Sequence, residues 1–163
     1  MRWHFLLLML VITSPASHLL AASATSESRL EKVFHNKMVR VCIWPDYYSI
    51  SYRNPKTQTL SGLDIDMAHE LGKDLGVAVE FIDSSFAKLL NDLQQDHCDI
   101  AMFGIGITPA RQKSLRFSQP YLASDIYAIT TKSNRRIKQW EDIDQPGRVV
   151  AIAKGTLHES LMK

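Results

Sequence analysis

Short apolar runs alternate along the chain with stretches in which apolar residues recur every three or four positions, and the switches between them outline an α/β succession. Residues 25–37 are polar and read as a helical lead-in, with Leu30 and Val33 as a small apolar face. Residues 39–43 form the first strand, which runs into a short aromatic loop at residues 44–48. Two short runs, residues 50–52 and 57–60, flank Arg53-Asn54-Pro55-Lys56 and predict a hairpin or a long turn. The stretch Gly62-Leu63-Asp64-Ile65-Asp66 then leads into a helix, with carboxylates at its positive N-terminal end and Gly76 placed to stop it. Met67, Leu71 and Leu75 are its expected buried stripe. A second strand follows at residues 77–82, a second helix with Phe86, Leu89, Leu90 and Leu93 on its apolar face, and a third strand at residues 100–103.

This order predicts a parallel sheet with right-handed crossovers, whose ligands sit beyond the carboxyl ends of the strands. Residues 44–48, 84–86 and 104–111 then converge on one crevice. Beyond the Pro120-Tyr121 turn the pattern predicts a strand at residues 126–131, a short helix at 139–143, a strand at 149–153 and a last helix opened by Gly155-Thr156. This tail has the look of the start of a second α/β lobe.

The stretch DIAMFGIGITPARQ, residues 99–112, carries the candidate chemistry. A strand that ends in Gly104 and Gly106 lets a ligand approach the main chain, because glycine has no Cβ to block it. Thr108 and Pro109 follow, and then Arg111, whose planar fork of donors matches a carboxylate. Taken alone this is a strand, a turn and a surface arginine. Its place at the end of a third parallel strand, opposite the 44–48 loop and Phe86, favours a small-anion site instead.

Composition narrows the setting. The chain has 163 residues, 45% hydrophobic and 22% charged, with a net charge of +2, so it is an ordinary globular sequence without a nucleic-acid footprint. Residues 1–24 read as a cleavable export signal: Arg2, an apolar run over residues 5–12 too short to cross a bilayer, and Ala22-Ser23-Ala24 as the cleavage site. A soluble periplasmic protein without a lipid anchor is expected. Export permits Cys42 and Cys98 to pair, but both fall in or beside predicted core strands, where an unpaired cysteine packs as a small hydrophobe. Unpaired core thiols are the favoured expectation. No Cys/His spacing suits a metal, and His69-Glu70 lacks the second histidine of a helical zinc motif.

Gly62-Leu63-Asp64-Ile65-Asp66-Met67, with Leu71-Gly72 and Leu75, resembles the signature of the bacterial extracellular solute-binding proteins of family 3. Asp99-Ile100-Ala101-Met102, Ile107-Thr108, Arg111-Gln112, Phe117-Ser118, Pro120-Tyr121 and Lys154-Gly155-Thr156 extend the resemblance over about residues 38–163. The resemblance implies an α/β, periplasmic-binding-protein-like two-lobe fold of type II, whose lobes close on a ligand about a hinge of two crossing strands. Residues 25–123 would be most of lobe one, and residues 124–163 the first hinge crossing near Ser124 with an incomplete start of lobe two. A family chain runs roughly another hundred residues, in keeping with two domains of typical size.

The resemblance also assigns roles. Arg111 would grip the α-carboxylate of a small amino acid or related carboxylate, helped by main-chain groups of Gly104, Gly106 and Thr108. Phe86 and Tyr47 match aromatic walls, Trp44 or Tyr48 would add to them, and Thr156 would join on closure. Gly104 and Gly106 stand where many members have serine, and Trp44 where some cationic amino-acid binders have an acid, which argues against a Lys or Arg ligand. The implied partner is an ABC permease in the inner membrane, with no cofactor, no nucleic acid and a monomeric receptor. One alternative on the same fold is the periplasmic cyclohexadienyl dehydratases, resembled at Val41-Cys42, Asp46-Tyr47 and Gly62 to Met67, whose acid/base glutamate would fall at Glu159. Others are the ligand-sensing domain of a membrane receptor and a truncated, non-binding fragment.

Overall fold

The computed structural model describes residues 27–162, and the expected export signal lies outside them. Helix α1 (Arg29–Asn36) opens on Ser28, whose hydroxyl accepts the Glu31 N–H while the Glu31 carboxylate accepts the Ser28 N–H. This reciprocal cap satisfies two donors that a helix start leaves open. Val33 is buried beneath the helix, whereas Leu30 is exposed, so the expected apolar face narrows to one residue.

Strand β1 (Met38–Ile43) leads into a small antiparallel sheet of β2 (Asp46–Tyr47), β3 (Ser51–Arg53) and β4 (Leu60–Ser61). Residues 44–48, expected as loop, therefore contain a short strand in which Asp46 pairs with Tyr52 and Tyr47 with Ser51. A tight reversal explains it: the Ile50 N–H reaches the Tyr47 carbonyl and the Ser51 hydroxyl donates to the Trp44 carbonyl at 2.8 Å. The hairpin between β3 and β4 turns on Asn54, whose side-chain oxygen accepts the N–H groups of Lys56 and Thr57.

Helix α2 (Leu63–Leu75), strand β5 (Ala78–Asp83), helix α3 (Leu89–Gln94) and strand β6 (Ile100–Ala101) complete the layer. All three long-sheet strands are parallel in the order β5-β1-β6, with Val41 opposite both Phe81 and Ile100. The first crossover places β5 on one side of β1 and the second carries the chain past β1 to its other side. Strand order reverses there, which opens a crevice beyond the carboxyl ends of β1 and β6.

Alternation along β1 sends Val39, Val41 and Ile43 into a cluster with Val33, Ile65, Ala68 and Met102, and Cys42 into another with Leu89, Cys98 and Phe103. Covered on both faces, β1 is the spine of the domain. Burying Val41 and Ile43 stabilises by roughly 1.5–3 kcal/mol each. On α2 the buried row is Asp64, Ile65, Ala68 and Gly72, and the expected stripe of Met67, Leu71 and Leu75 flanks it, partly buried. Leu90 is exposed and Phe86 precedes α3, so that helix packs through Leu89 and Leu93 rather than four residues.

The cysteines, expected as free thiols, form a disulfide. Pairing of β1 with β6 puts Cys42 opposite Ala101 and brings the Cys98 Cα to 5.6 Å, within bonding range. Strand order decides this, and strand order is not visible in local composition. Below, at the amino end of the sheet, Arg40 grips Asp99 at 2.7 Å and Asp96 at 3.1 Å, pinning the turn that carries Cys98.

After α4 (Pro109–Gln112) the chain has a 3₁₀ turn at Trp140–Asp142 and a short helix, α5 (Leu157–Leu161). Among the described residues no strand follows Ala101, so the strands expected at 126–131 and 149–153 do not form. Both segments are rich in strand-favouring residues, but a strand exists only where a neighbour accepts its main-chain hydrogen bonds, and Ile129 is 98% exposed with no such ladder beside it. No helix among the described residues is long and apolar enough to cross a membrane.

Candidate functional site

Four rings meet at the crevice. Trp44 leaves the end of β1, Tyr47 lies on β2, Phe86 sits between β5 and α3, and Phe103 follows β6. Trp44 stands 5.4 Å from Phe86 and 5.5 Å from Tyr47, Tyr47 stands 6.3 Å from Phe86, and Phe103 backs Phe86 at 5.0 Å, all tilted or edge-on. Such pairs add roughly 0.5–1.5 kcal/mol beyond their buried area. Three predicted wall residues are thus gathered. Tyr48 does not join them, since it is 76% exposed and pairs with Tyr52.

The predicted anion loop lies against this wall. Gly104 adopts φ +62°, and a Cβ there would stand 3.1 Å from a Tyr47 ring carbon, so the position favours glycine on both counts. Its N–H, expected to serve a ligand, donates instead to the Asp64 carboxylate at 2.7 Å. The Thr108 hydroxyl accepts the Arg111 N–H at 3.2 Å, capping α4 with Pro109 in its first turn.

Arg111 turns back over the loop. Its guanidinium donates to the Gly106 carbonyl at 2.6 Å and to the Gly155 carbonyl at 2.9 Å, and stands 5.8 Å from the Phe86 ring centroid. Burial holds its pKa below the ordinary arginine value. It stays cationic at neutral pH all the same, because that ordinary value is so high.

The start of α5 closes the arrangement. Gly155, at φ +79°, packs so tightly on Phe86 that a Cβ would come within 2.7 Å of the Phe86 carbonyl. Its N–H donates to the Glu159 carboxylate at 2.7 Å. The Thr156 hydroxyl donates to the Ala153 carbonyl, so Thr156 lies beside the site while its side chain is engaged locally.

Asp64, read from the sequence only as a helix-start carboxylate and part of the Gly62 to Met67 signature, joins the site. Fully buried at the start of α2, it accepts the Gly104 N–H on one oxygen and the Tyr121 hydroxyl at 2.6 Å on the other. Burial and then the Asp64 carboxylate push the Tyr121 phenol well above its ordinary pKa. The available signal was the row Asp64, Ala68, Gly72, which puts a carboxylate in line with two small buried residues. Among the described residues no group of three or more His, Cys, Asp or Glu is placed to hold a metal ion.

A parallel sheet with its site at the switch point, followed by a chain that returns over that site, is the architecture of the two-lobed solute-binding proteins. Residues 39–162 match the bacterial extracellular solute-binding proteins, family 3, and the chain belongs to that family. It is 36% identical over 144 residues to the cyclohexadienyl dehydratase of Pseudomonas aeruginosa, covering 88% of this chain and 53% of that enzyme. Its structure resembles that of the ancestral amino acid-binding protein AncCDT-1, a precursor of cyclohexadienyl dehydratase, at 35% identity and a TM-score of 0.77 over 82% of this chain and 59% of that one. It also resembles the arginine-bound form of domain 1 from TmArgBP, at 25% identity and a TM-score of 0.54 over 57% and 71%. The chain spans about half the length of the curated relatives it matches.

Proposed function

We propose that this chain is the ligand-binding part of an exported, periplasmic receptor that captures a small amino acid or related carboxylate for an ABC permease in the inner membrane. Residues 25–123 act as lobe one, and residues 124–163 as the hinge crossing and the start of lobe two. The observation that carries the reading is the Arg111 guanidinium over the Phe86 ring, which Trp44 and Tyr47 flank, with its two donors resting on the Gly106 and Gly155 carbonyls. A carboxylate is a stronger acceptor than a carbonyl, so it displaces the Gly155 contact and takes a charge-assisted pair in its place. Residues 155–157 already lie against Arg111 and Phe86, and the ligand shifts their arrangement only by the difference between its contacts with the closed and open forms. The arginine-bound form of domain 1 from TmArgBP supports the view that one lobe can hold an amino acid.

A second reading has its own observations: the identity to the Pseudomonas enzyme, and the Glu159 carboxylate tied to Gly155, the residue whose carbonyl meets Arg111. On this reading Arg111 holds a substrate carboxylate and Glu159 serves as general acid or base.

Calorimetric titration of the wild-type chain and Arg111→Ala with the common L-amino acids and with prephenate tests the first reading. Removing one partner of a desolvated charge pair costs about 2–5 kcal/mol, so affinity should fall at least about thirtyfold. Equal affinity overturns the role of Arg111. Turnover of prephenate by the wild type, lost in Glu159→Gln, would decide for the enzyme.

A further inference from the structure

The segment that carries Gly106, Thr108 and Arg111 is held at both ends by one side chain. Gly104 opens the segment and donates its N–H to Asp64 Oδ2; Tyr121 ends it and donates its hydroxyl to Asp64 Oδ1. The two partners lie 40 and 57 residues further along the chain, in parts that share no strand or helix with α2. Asp64 itself is anchored by its N–H on the Ile50 carbonyl and sits at the start of α2, where the helix dipole favours an anion. A fully buried carboxylate is costly unless both oxygens are used, and here each meets one donor.

We propose that Asp64 is the positioning residue of the anion loop. It touches no ligand. Its carboxylate fixes the two ends of residues 104–121 and thereby the place of Arg111 against the Phe86 ring. An asparagine is a weaker substitute: its oxygen can accept the Gly104 N–H and its NH2 group can donate to the Tyr121 oxygen, but both bonds lose the charge assistance of the carboxylate. The proposal rests on the reading of Arg111 as a carboxylate clamp, and it adds that the clamp is preorganised from α2.

The test uses the whole chain and the variants Asp64→Asn and Tyr121→Phe, the second of which removes one hydroxyl from a part-exposed ring and one donor from Asp64. Amide exchange is read in peptides from residues 102–121 and, as reference, in β1 and β5. Tyr121→Phe should raise exchange within residues 104–121 by about tenfold for its lost hydrogen bond, and Asp64→Asn should raise it in the same segment because both bonds lose the carboxylate's charge, while β1 and β5 stay protected. Where the wild type binds prephenate or one of the L-amino acids titrated above, Tyr121→Phe should weaken that probe by a similar factor in the absence of urea, where both proteins are folded, with a urea midpoint lowered by no more than one lost hydrogen bond allows. Unchanged exchange in the loop overturns the proposal, as does a uniform rise that includes β1 and β5. If Asp64→Asn does not fold, Tyr121→Phe decides alone. A wild type that binds neither probe counts against the Arg111 reading, and the exchange data still judge the clamp.

Discussion

Arg111 and Gly155 meet at 2.9 Å, guanidinium to carbonyl, although 44 residues separate them. The contact draws the start of α5 onto the anion loop, and Gly155 completes it by packing on the Phe86 main chain without a side chain of its own. Closure over the cation is thus written partly into the polypeptide.

Gly155→Ala should break that closure. A methyl group would fall 2.7 Å from the Phe86 carbonyl, and the left-handed backbone adds about 1–2 kcal/mol of strain for a residue with a Cβ. Amide exchange should rise over residues 153–161 and stay low in β1 and β5. Protection of α5 equal to that of the wild type would show that Phe86 yields and the contact is not a latch.

Tyr121 supplies a pH signature. Its phenol is raised above the ordinary value of about 10 by burial and by Asp64, so the folded state holds the proton that the unfolded chain gives up. Stability from this group is therefore complete below the ordinary tyrosine pKa and is lost as pH rises through the folded value. Urea midpoints taken between pH 8 and pH 11 should fall more steeply in the wild type than in Tyr121→Phe. Parallel curves would place the Tyr121 hydroxyl in water.

How much of this arrangement was legible in the sequence depends on the range of the contact that fixes each part. The βαβαβ order, the Gly76 stop of α2 and the gathering of Trp44, Tyr47, Phe86, Gly104 and Arg111 follow from local periodicity plus one topological rule. Asp64 looked like a dipole-facing carboxylate because its partners, Gly104 and Tyr121, are distant in the chain. The Cys42–Cys98 bond needed strand order, and the strands expected at 126–131 and 149–153 needed neighbours, neither of which composition encodes. Local chemistry placed the cation; only tertiary structure showed what holds it.

Gly104→Ala should act on the ring wall. Its φ of +62° costs an alanine about 1–2 kcal/mol, and the Tyr47 ring carbon 3.1 Å away must shift for the methyl group to fit. Lower stability by that amount in urea, together with a changed near-ultraviolet circular dichroism signal from the aromatic cluster, is the expected result. A loss of stability with an unchanged aromatic signal would mean that Tyr47 does not lie over Gly104.

Replacing both Cys42 and Cys98 by alanine should separate stability from site geometry. The bond closes a loop of 56 residues between β1 and the turn before β6, and the chain-entropy relation gives about 4 kcal/mol for a loop of that length, within the usual range of about 2–5 kcal/mol. Loss of sulfur packing against Leu89 and Phe103 adds to this. The ring cluster, however, is also held by Trp44 against Tyr47 and by the Gly155 contact with Phe86, neither of which passes through the sulfurs. The urea midpoint of the double variant should fall sharply while the aromatic circular dichroism of its folded state stays close to that of the wild type. If that signal collapses at low urea, the disulfide sets the position of Phe103, and with it Phe86, rather than merely limiting the unfolded chain.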